Sequence, residues 1–196
     1  VFVTKDYDYG GDSGMVTTSV YDATGNAVTI HELTSNGRYC EPYQGPVVWS
    51  PDSGKITFSE RVASCAECGG ECNNTYGPRV AVVDVRTASK ASYAETMQPF
   101  AWLANRVSIL GSTYSEQSWG IESICSLHAV SGEKNCIPMG KEVRLPSYEN
   151  PQQYLSPHEH YLPYYQSVDI SSVCYGRGYE DLWVLSSLLN LTAELR

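Results

Sequence analysis

The chain alternates short apolar runs with turn residues, and one segment shows this pattern most clearly. The apolar run Val47-Val48-Trp49 precedes the turn sequence Pro51-Asp52-Ser53-Gly54, after which Ile56 and Phe58 alternate with polar residues. Proline presets the φ angle of a turn, and Asp and Gly supply its remaining chemistry. Because alternation with a period of two is typical of a half-buried strand, the segment predicts a strand, a tight turn and a second strand.

Two further segments, 100–110 and 154–164, carry the same pattern in weaker form. Aligned on the turn, the spacing from Pro51 to Ala104 is 53 residues and that from Ala104 to Pro157 is also 53. A long loop, Arg61 to Pro78, is predicted after the second strand of the first copy. A third strand is predicted after each copy, at 79–85, 121–127 and 181–186, and a fourth, outer strand follows it. A repeat near 50 residues made of four antiparallel strands is typical of β-propeller blades.

The N-terminal region matches the later part of such a blade. We expect Val1 to Thr4 as its second strand, Met15 to Tyr21 as its third and Ala27 to Glu32 as its outer strand. The sequence thus predicts an all-β propeller domain, or a fragment of one, over residues 1–196. It holds about three complete blades and one truncated N-terminal blade, at approximately 1–40 (partial), 45–97, 98–148 and 149–196.

The core Trp49-Ser50-Pro51-Asp52 and the strand behind it resemble the TolB-like propeller repeats, whose blades carry W-S-P-D-G-x-x-I-A-F. They are also similar to the propellers of the prolyl oligopeptidase and dipeptidyl peptidase IV families. The second copy has Leu103-Ala104-Asn105 in place of Ser-Pro-Asp, and the third has His158-Glu159 at the turn. The resemblance implies a propeller fold and, in the peptidase families, a substrate-gating propeller beside a separate hydrolase domain.

Composition narrows the class of protein. Hydrophobic residues make up 42% of the 196 residues, and no apolar run is long enough to predict a transmembrane segment. The net charge of -9 and pI near 4.8 argue against a nucleic-acid partner, which requires clustered Lys and Arg. Seven cysteines and the sequons at Asn73 and Asn190 favour a glycosylated extracellular, cell-surface or periplasmic protein.

The cysteines predict disulfides, and one pair can be chosen. Cys125 and Cys136 lie on a predicted third strand and its outer partner, so they can face each other across the hairpin. The spacing of Cys65, Cys68 and Cys72 also suits a zinc or iron–sulfur site, but sequence supplies no second C-x-x-C motif, and disulfides are favoured. Cys40 and Cys174 remain to pair with the cysteines of the Cys65 loop or with each other, and the odd count leaves at least one thiol unpaired or paired outside the chain.

An acidic segment near the N-terminus is a candidate calcium-binding site. Asp6, Asp8 and Asp12, with Gly10 and Gly11 among them, supply the hard oxygen ligands that Ca²⁺ prefers. The spacing is not that of an EF-hand, and a solvated turn-forming loop is the favoured alternative. No other cofactor is predicted.

No convincing catalytic set is visible. Gly11-Asp12-Ser13-Gly14 copies the nucleophile loop of chymotrypsin-like proteases, but Ser13 precedes every histidine, opposite to the order in that family. The hydrolase motif Gly-x-Ser-x-Gly is absent. His158 and His160 suit a metal or a sugar face, or simply decorate a turn.

Three functions follow in order of preference. The first is a non-enzymatic interaction or structural module that self-associates, because the missing inner strand leaves a blade edge that can template a strand from another molecule. The alternative is the substrate-gating propeller of a secreted serine peptidase resembling dipeptidyl peptidase IV, with its catalytic domain absent. The third is a Ca²⁺-dependent lactonase or lyase of propeller fold.

Overall fold

The protein is built from strands. A computed structural model describes residues 2–8, 13–21, 24–36, 40–64, 76–114, 121–144, 162–168 and 179–185. All regular secondary structure in these ranges is β-strand, and every pair of neighbouring strands is antiparallel. The all-β prediction is therefore confirmed. Within the same ranges, no helix of membrane-spanning length and apolarity occurs. The chain divides into two compact units, Val1–Pro99 and Phe100–Arg196.

The first sheet of unit 1 is a three-stranded meander. Its strands are β1 (Phe2–Asp8), β2 (Ser13–Tyr21) and β3 (Ala27–Asn36), in the order β1-β2-β3. These are the three strands predicted for the N-terminal region, each somewhat longer than expected. A β-bulge interrupts the β2–β3 pairing, because Thr18 faces His31 whereas the next residue, Ser19, faces Thr29. The extra residue on β3 is Ile30.

The second sheet of unit 1 contains a strand that the sequence did not predict. Its strands are β4 (Cys40–Gln44), β5 (Val48–Trp49), β6 (Lys55–Ser64), β7 (Tyr76–Asp84) and β8 (Lys90–Tyr93). The order is β4-β6-β7-β8, with β5 pairing β6 beside β4. The unpredicted strand β4 contains Pro42, which lacks an N–H donor, and its position at the end of the described sheet is one that tolerates proline.

Strand β4 also corrects the predicted loop 61–78. Pairing with β4 continues from Gln44↔Glu60 to Cys40↔Ser64, so β6 extends to Ser64. Strand β7 already begins at Tyr76. The loop is therefore shorter than predicted, because β4 supplies hydrogen-bond partners for the end of β6 that the sequence pattern did not reveal.

The two sheets of unit 1 enclose an apolar core. Phe58 and Ile56 of β6 are fully buried and pack with Ile30 of the first sheet. A smaller cluster joins Val16 and Leu33 of the first sheet to Val62 of the second. Both sheets therefore depend on each other to bury their apolar faces.

The described residues of unit 2, together with Gln98 and Pro99, form a six-stranded sheet. Its strands are β9 (Gln98–Trp102), β10 (Ser108–Tyr114), β11 (Ile121–His128), β12 (Lys134–Arg144), β13 (Leu162–Val168) and β14 (Tyr179–Leu185), which follow one another across the sheet in chain order. The buried residues Leu110 and Ile124 pack with Phe100 and Ile121 on this sheet. The second-copy strands predicted from sequence are all present.

The last two strands are joined differently from the prediction, which placed residues 149–196 in a separate blade. Strand β12 is 11 residues long, and its C-terminal end pairs with β13 through Val143↔Gln166 and Arg144↔Tyr165. Strands β13 and β14 therefore continue the sheet of β9 to β12. The beginning of the third copy, residues 154–161, lies outside the described residues.

The turns of the first two copies have the same backbone hydrogen bonds. In residues 50–55 the N–H of Ser50 donates to the carbonyl of Lys55 at 2.9 Å, and in 103–108 the N–H of Leu103 donates to Ser108 at 2.9 Å. Each turn has one residue with positive φ at the same place, Ser53 at 56° and Arg106 at 63°. Since 53 residues separate each equivalent pair, the repeat read from sequence is present in the backbone itself.

One side chain organises each turn. The Asp52 carboxylate accepts the N–H of Gly54 at 3.1 Å, and the Asn105 amide oxygen accepts the N–H of Val107 at 3.1 Å. Both are turn-forming side-chain acceptors placed two residues before the donor. The second copy thus keeps the turn although its Ser-Pro-Asp sequence is lost, because an asparagine oxygen accepts the same bond as an aspartate oxygen.

Replacing Asp52 with alanine is expected to lower the free energy of unfolding by about 1 kcal/mol, since it removes the acceptor for both Gly54 N–H and the Ser50 hydroxyl. Asn105→Ala is expected to cost a similar amount, whereas Asn105→Asp keeps the acceptor and is expected to be nearly neutral. Urea unfolding of the three variants measures this. Equal losses for Asn105→Ala and Asn105→Asp would contradict the proposed role of the side-chain oxygen.

Candidate functional site

A layer of polar side chains lies between the two sheets of unit 1. On the first sheet Thr18 and His31 are direct cross-strand partners, and on the second sheet Gln44 and Glu60 are direct cross-strand partners. All four are buried, with exposed fractions of 0% for Thr18, 8% for His31, 1% for Gln44 and 1% for Glu60. We refer to these four residues as the polar layer.

Each residue of the polar layer contacts one on the opposite sheet. The hydroxyl of Thr18 donates to Oε1 of Gln44 at 2.7 Å, and Nε2 of His31 lies 2.8 Å from Oε2 of Glu60. The contact between His31 and Glu60 is an ion pair when the imidazole is protonated. The polar layer therefore joins the sheets at two adjacent points, one neutral and one charged.

Lys90 of β8 completes the charged part of the layer. Its Nζ donates to Oε1 of Glu60 at 2.6 Å, so the two carboxylate oxygens of Glu60 face different side chains, His31 and Lys90. The Lys90 side chain is 29% exposed and lies at the rim, whereas the Glu60 side chain is 1% exposed. The ring of His31 also packs on Phe58, with centroids 5.1 Å apart.

The ionisation of Glu60 follows from these neighbours. Burial opposes the charged form and by itself raises the pKa of Glu60, but the hydrogen bonds and charges of His31 and Lys90 outweigh it. The net result is a pKa below the ordinary value of 4.5. The buried carboxylate of Glu60 therefore depends on its neighbours His31 and Lys90 to remain ionised.

The side chains of the polar layer can stabilise a buried charge. The described side chains contain no cluster of three His, Cys, Asp or Glu residues that could bind a metal ion. The polar layer and Lys90 together combine one carboxylate, one imidazole and one ammonium group with two neutral partners. Its geometry is that of a polar contact between sheets.

Sequence reasoning missed the polar layer, although part of it was visible. Glu60 follows Ile56 and Phe58 at the same alternation, which predicts that it points into the core with them. His31 had no such signal. The bulge at Ile30 lets consecutive residues Ile30 and His31 both be buried, which breaks the alternation on which the prediction depends.

The structure brings the predicted pair Cys125 and Cys136 together as a disulfide. The two residues are direct partners in the β11–β12 register, with Cα atoms 4.1 Å apart. Cys125 is fully buried, whereas Cys136 is exposed. The hairpin reasoning from sequence located this bond because the turn at 129–133 sets the register.

Replacing Cys136 with serine is expected to lower the free energy of unfolding by about 2–3 kcal/mol, because the bridge closes a loop with a sequence separation of 11. The measurement is urea unfolding under oxidising conditions. Glu133→Gln, an exposed change in the same hairpin turn, serves as the control and should leave the midpoint unchanged. An unchanged midpoint for Cys136→Ser would show that the bridge does not stabilise the sheet.

The predicted calcium ligands are only partly within the described backbone. Asp6 and Asp8 belong to β1, in register with Thr17 and Met15. They therefore lie on a strand and not in the loop that the sequence predicted. Asp12 lies outside the described residues, and the calcium hypothesis stays a prediction.

The other predicted site residues are similarly placed. Ser13 is the first residue of β2, in register with Asn36, so it belongs to a regular strand and not to a nucleophile loop. Cys40 is on β4, opposite Ser64. The remaining predicted residues lie outside the described ranges: Cys65, Cys68, Cys72, Asn73, His158, His160, Cys174 and Asn190.

Comparison with known proteins addresses the fold. No family profile matches the chain, and no curated protein matches it in sequence. Among solved structures, dipeptidyl peptidase 4 of Porphyromonas gingivalis is similar with a TM-score of 0.56 and 12% identity, over 95% of this chain and 31% of that chain. The fold of this chain is therefore that of a dipeptidyl peptidase 4-like β-propeller. The resemblance of the repeat to dipeptidyl peptidase IV blades is confirmed at this level, and the likeness to TolB blades stays a prediction.

Two other solved structures are similar to this chain with lower TM-scores. The β-propeller domain of the Trilobed protease from Pyrococcus furiosus has a TM-score of 0.47 and 11% identity, over 94% of this chain and 55% of that one. The hydrazine synthase of Kuenenia stuttgartiensis has a TM-score of 0.39 and 10% identity, over 90% of this chain and 60% of that one. The propeller chain spans less than two thirds of each of these three structures.

Proposed function

We propose that this chain is the non-catalytic propeller of a secreted or periplasmic peptidase, where it controls access of peptides to a catalytic domain outside the sequence. The observation that carries the proposal is the similarity of 95% of the chain to 31% of dipeptidyl peptidase 4. Two features support it. The sequence has no Gly-x-Ser-x-Gly motif, and the Cys125–Cys136 bridge suits an oxidising compartment.

The test compares this chain with the protein encoded by the full reading frame, each incubated with chromogenic dipeptide substrates and with longer peptides. We expect no hydrolysis by the chain alone and hydrolysis by the full protein. Deleting the propeller from the full protein should change the preference for peptide length more than the hydrolysis of the smallest substrate. A full reading frame that encodes no hydrolase domain would overturn the proposal.

A second candidate is a self-associating interaction module, which one observation favours. Within the described sheet, β1 is an edge strand whose recorded pairing is with β2 alone. An open edge of seven residues can add a strand from another chain. Light scattering of the purified chain distinguishes the candidates: a concentration-dependent dimer that is lost on replacing Val3 with proline supports association through β1, and a monodisperse monomer contradicts it.

A further inference from the structure

We propose that the polar layer is an acid-labile latch, which holds the three-stranded sheet of unit 1 in one position against the second sheet and releases it when Glu60 is protonated. The latch consists of Thr18–Gln44 and His31–Glu60 across the sheets, with Lys90 on the second oxygen of Glu60. This device is independent of the proposed peptidase role, because it concerns how unit 1 is held together.

The layer does more than add stability. A buried ion pair loses much of its Coulomb energy to desolvation, and apolar residues of similar size often stabilise a core equally well. The layer differs from apolar packing in its geometry. Thr18 and His31 must meet Gln44 and Glu60 at the same time, and moving one sheet over the other by one residue, about 3.3 Å, would break both contacts. Two adjacent polar contacts therefore permit one docking position of the sheets.

The acid sensitivity follows from the charges that surround Glu60. Protonation of Glu60 removes the negative charge that faces the Lys90 ammonium, and a charge left without its partner in a buried site is destabilising. Thr18 of β2 and Gln44 of β4 contribute no titratable group at this position. Among the residues that the structure describes, the titratable or charged ones that face Glu60 are His31 from β3, Arg79 from its register position on β7 and Lys90 from β8.

The pH window can be stated from the direction of the shift. The pKa of Glu60 in the folded protein is below its ordinary value of 4.5. A carboxylate of this kind contributes stability that is fully present above its unfolded pKa and is lost as the pH falls through the folded value. The latch is therefore closed above about pH 5 and opens on the acid side of 4.5.

Hydrogen exchange of the full chain, followed by mass spectrometry from pH 6 to pH 3, tests the proposal. Protection factors corrected for intrinsic exchange should fall in β2 and β3 by up to about tenfold for each pH unit between the unfolded and folded pKa values of Glu60. The Glu60→Gln variant should show weaker protection of β2 and β3 already at pH 6. Its protection should then change little through the same window, because residue 60 no longer titrates.

Two variants separate the latch from general loss of packing. Thr18→Val removes the neutral contact, so it should lower protection at all pH values without changing the pH dependence. Lys90→Met removes a rim cation that favours ionised Glu60, so it should move the acid transition to higher pH, and this carries the test even if Glu60→Gln fails to fold. Glu32→Gln, beside His31 but exposed, should behave as the unaltered chain.

The proposal is overturned if Glu60→Gln loses protection in acid in parallel with the unaltered chain, or if Lys90→Met leaves the acid transition where it was. Either result would assign the acid sensitivity to other carboxylates. A transition in β2 and β3 that shifts as described, with the β10 and β11 strands unaffected by these substitutions, supports the latch.

Discussion

Replacing Phe58 with alanine is expected to lower the free energy of unfolding by about 3–5 kcal/mol, the range typical of a fully buried phenylalanine. Phe58 has 0% exposure, packs with Ile56 and Ile30 in the core of unit 1, and supports the ring of His31. The substitution leaves a cavity between the sheets and removes the surface on which the imidazole rests. Urea or thermal unfolding measures the loss.

The matched control for Phe58→Ala is Val28→Ala on β3, since Val28 is 59% exposed. Surface changes of this kind usually alter stability by about 0.5 kcal/mol or less. A loss from Phe58→Ala no larger than that of the control would contradict the packing of the two sheets around Phe58.

Replacing Glu60 with alanine is expected to lower the free energy of unfolding by about 3–5 kcal/mol at neutral pH, because it removes one partner of the ion pair with Lys90 and leaves the buried imidazole of His31 without its carboxylate neighbour. The Glu60 side chain is 1% exposed and contacts both His31 and Lys90. The loss should be larger than that from Lys90→Met, since the Lys90 side chain is 29% exposed and can turn to solvent. Urea unfolding at pH 7 measures both.

The double variant Glu60→Ala, Lys90→Met provides the internal check. Residues in direct contact couple, so the double variant should lose less stability than the sum of the two single variants. Strict additivity would show that the 2.6 Å contact between the two side chains carries no energy. That result would also remove the electrostatic basis of the latch.

The repeat shows which features of the fold can be predicted from neighbouring residues in the sequence. Proline, aspartate and glycine at 51–54 dictate a turn through their own conformational preferences, and the apolar positions on each side dictate strands. The same reasoning found the weak second copy, whose hydrogen bonds match those of the first. The disulfide was also found locally, because a hairpin turn determines which residues of its two strands are opposite each other.

Other features depended on partners distant in the sequence. Strand β4 has no clear alternation and contains Pro42, so only its pairing with β6 makes it a strand. Likewise, β13 continues the sheet of β12 because the long end of β12 presents backbone groups to it. Backbone hydrogen bonding of this kind leaves no mark in side-chain patterns.

The polar layer marks the boundary between the two kinds of information. The sequence by itself determined that the chain is made of antiparallel strands with repeated turns, since turn chemistry and alternating hydrophobicity act over a few neighbouring residues. Only the tertiary structure decided that His31 meets Glu60, because a bulge turns His31 inward and residues 29 positions apart come within 2.8 Å. Which buried polar groups compensate one another depends on how separate sheets pack, and that is settled when the whole unit folds.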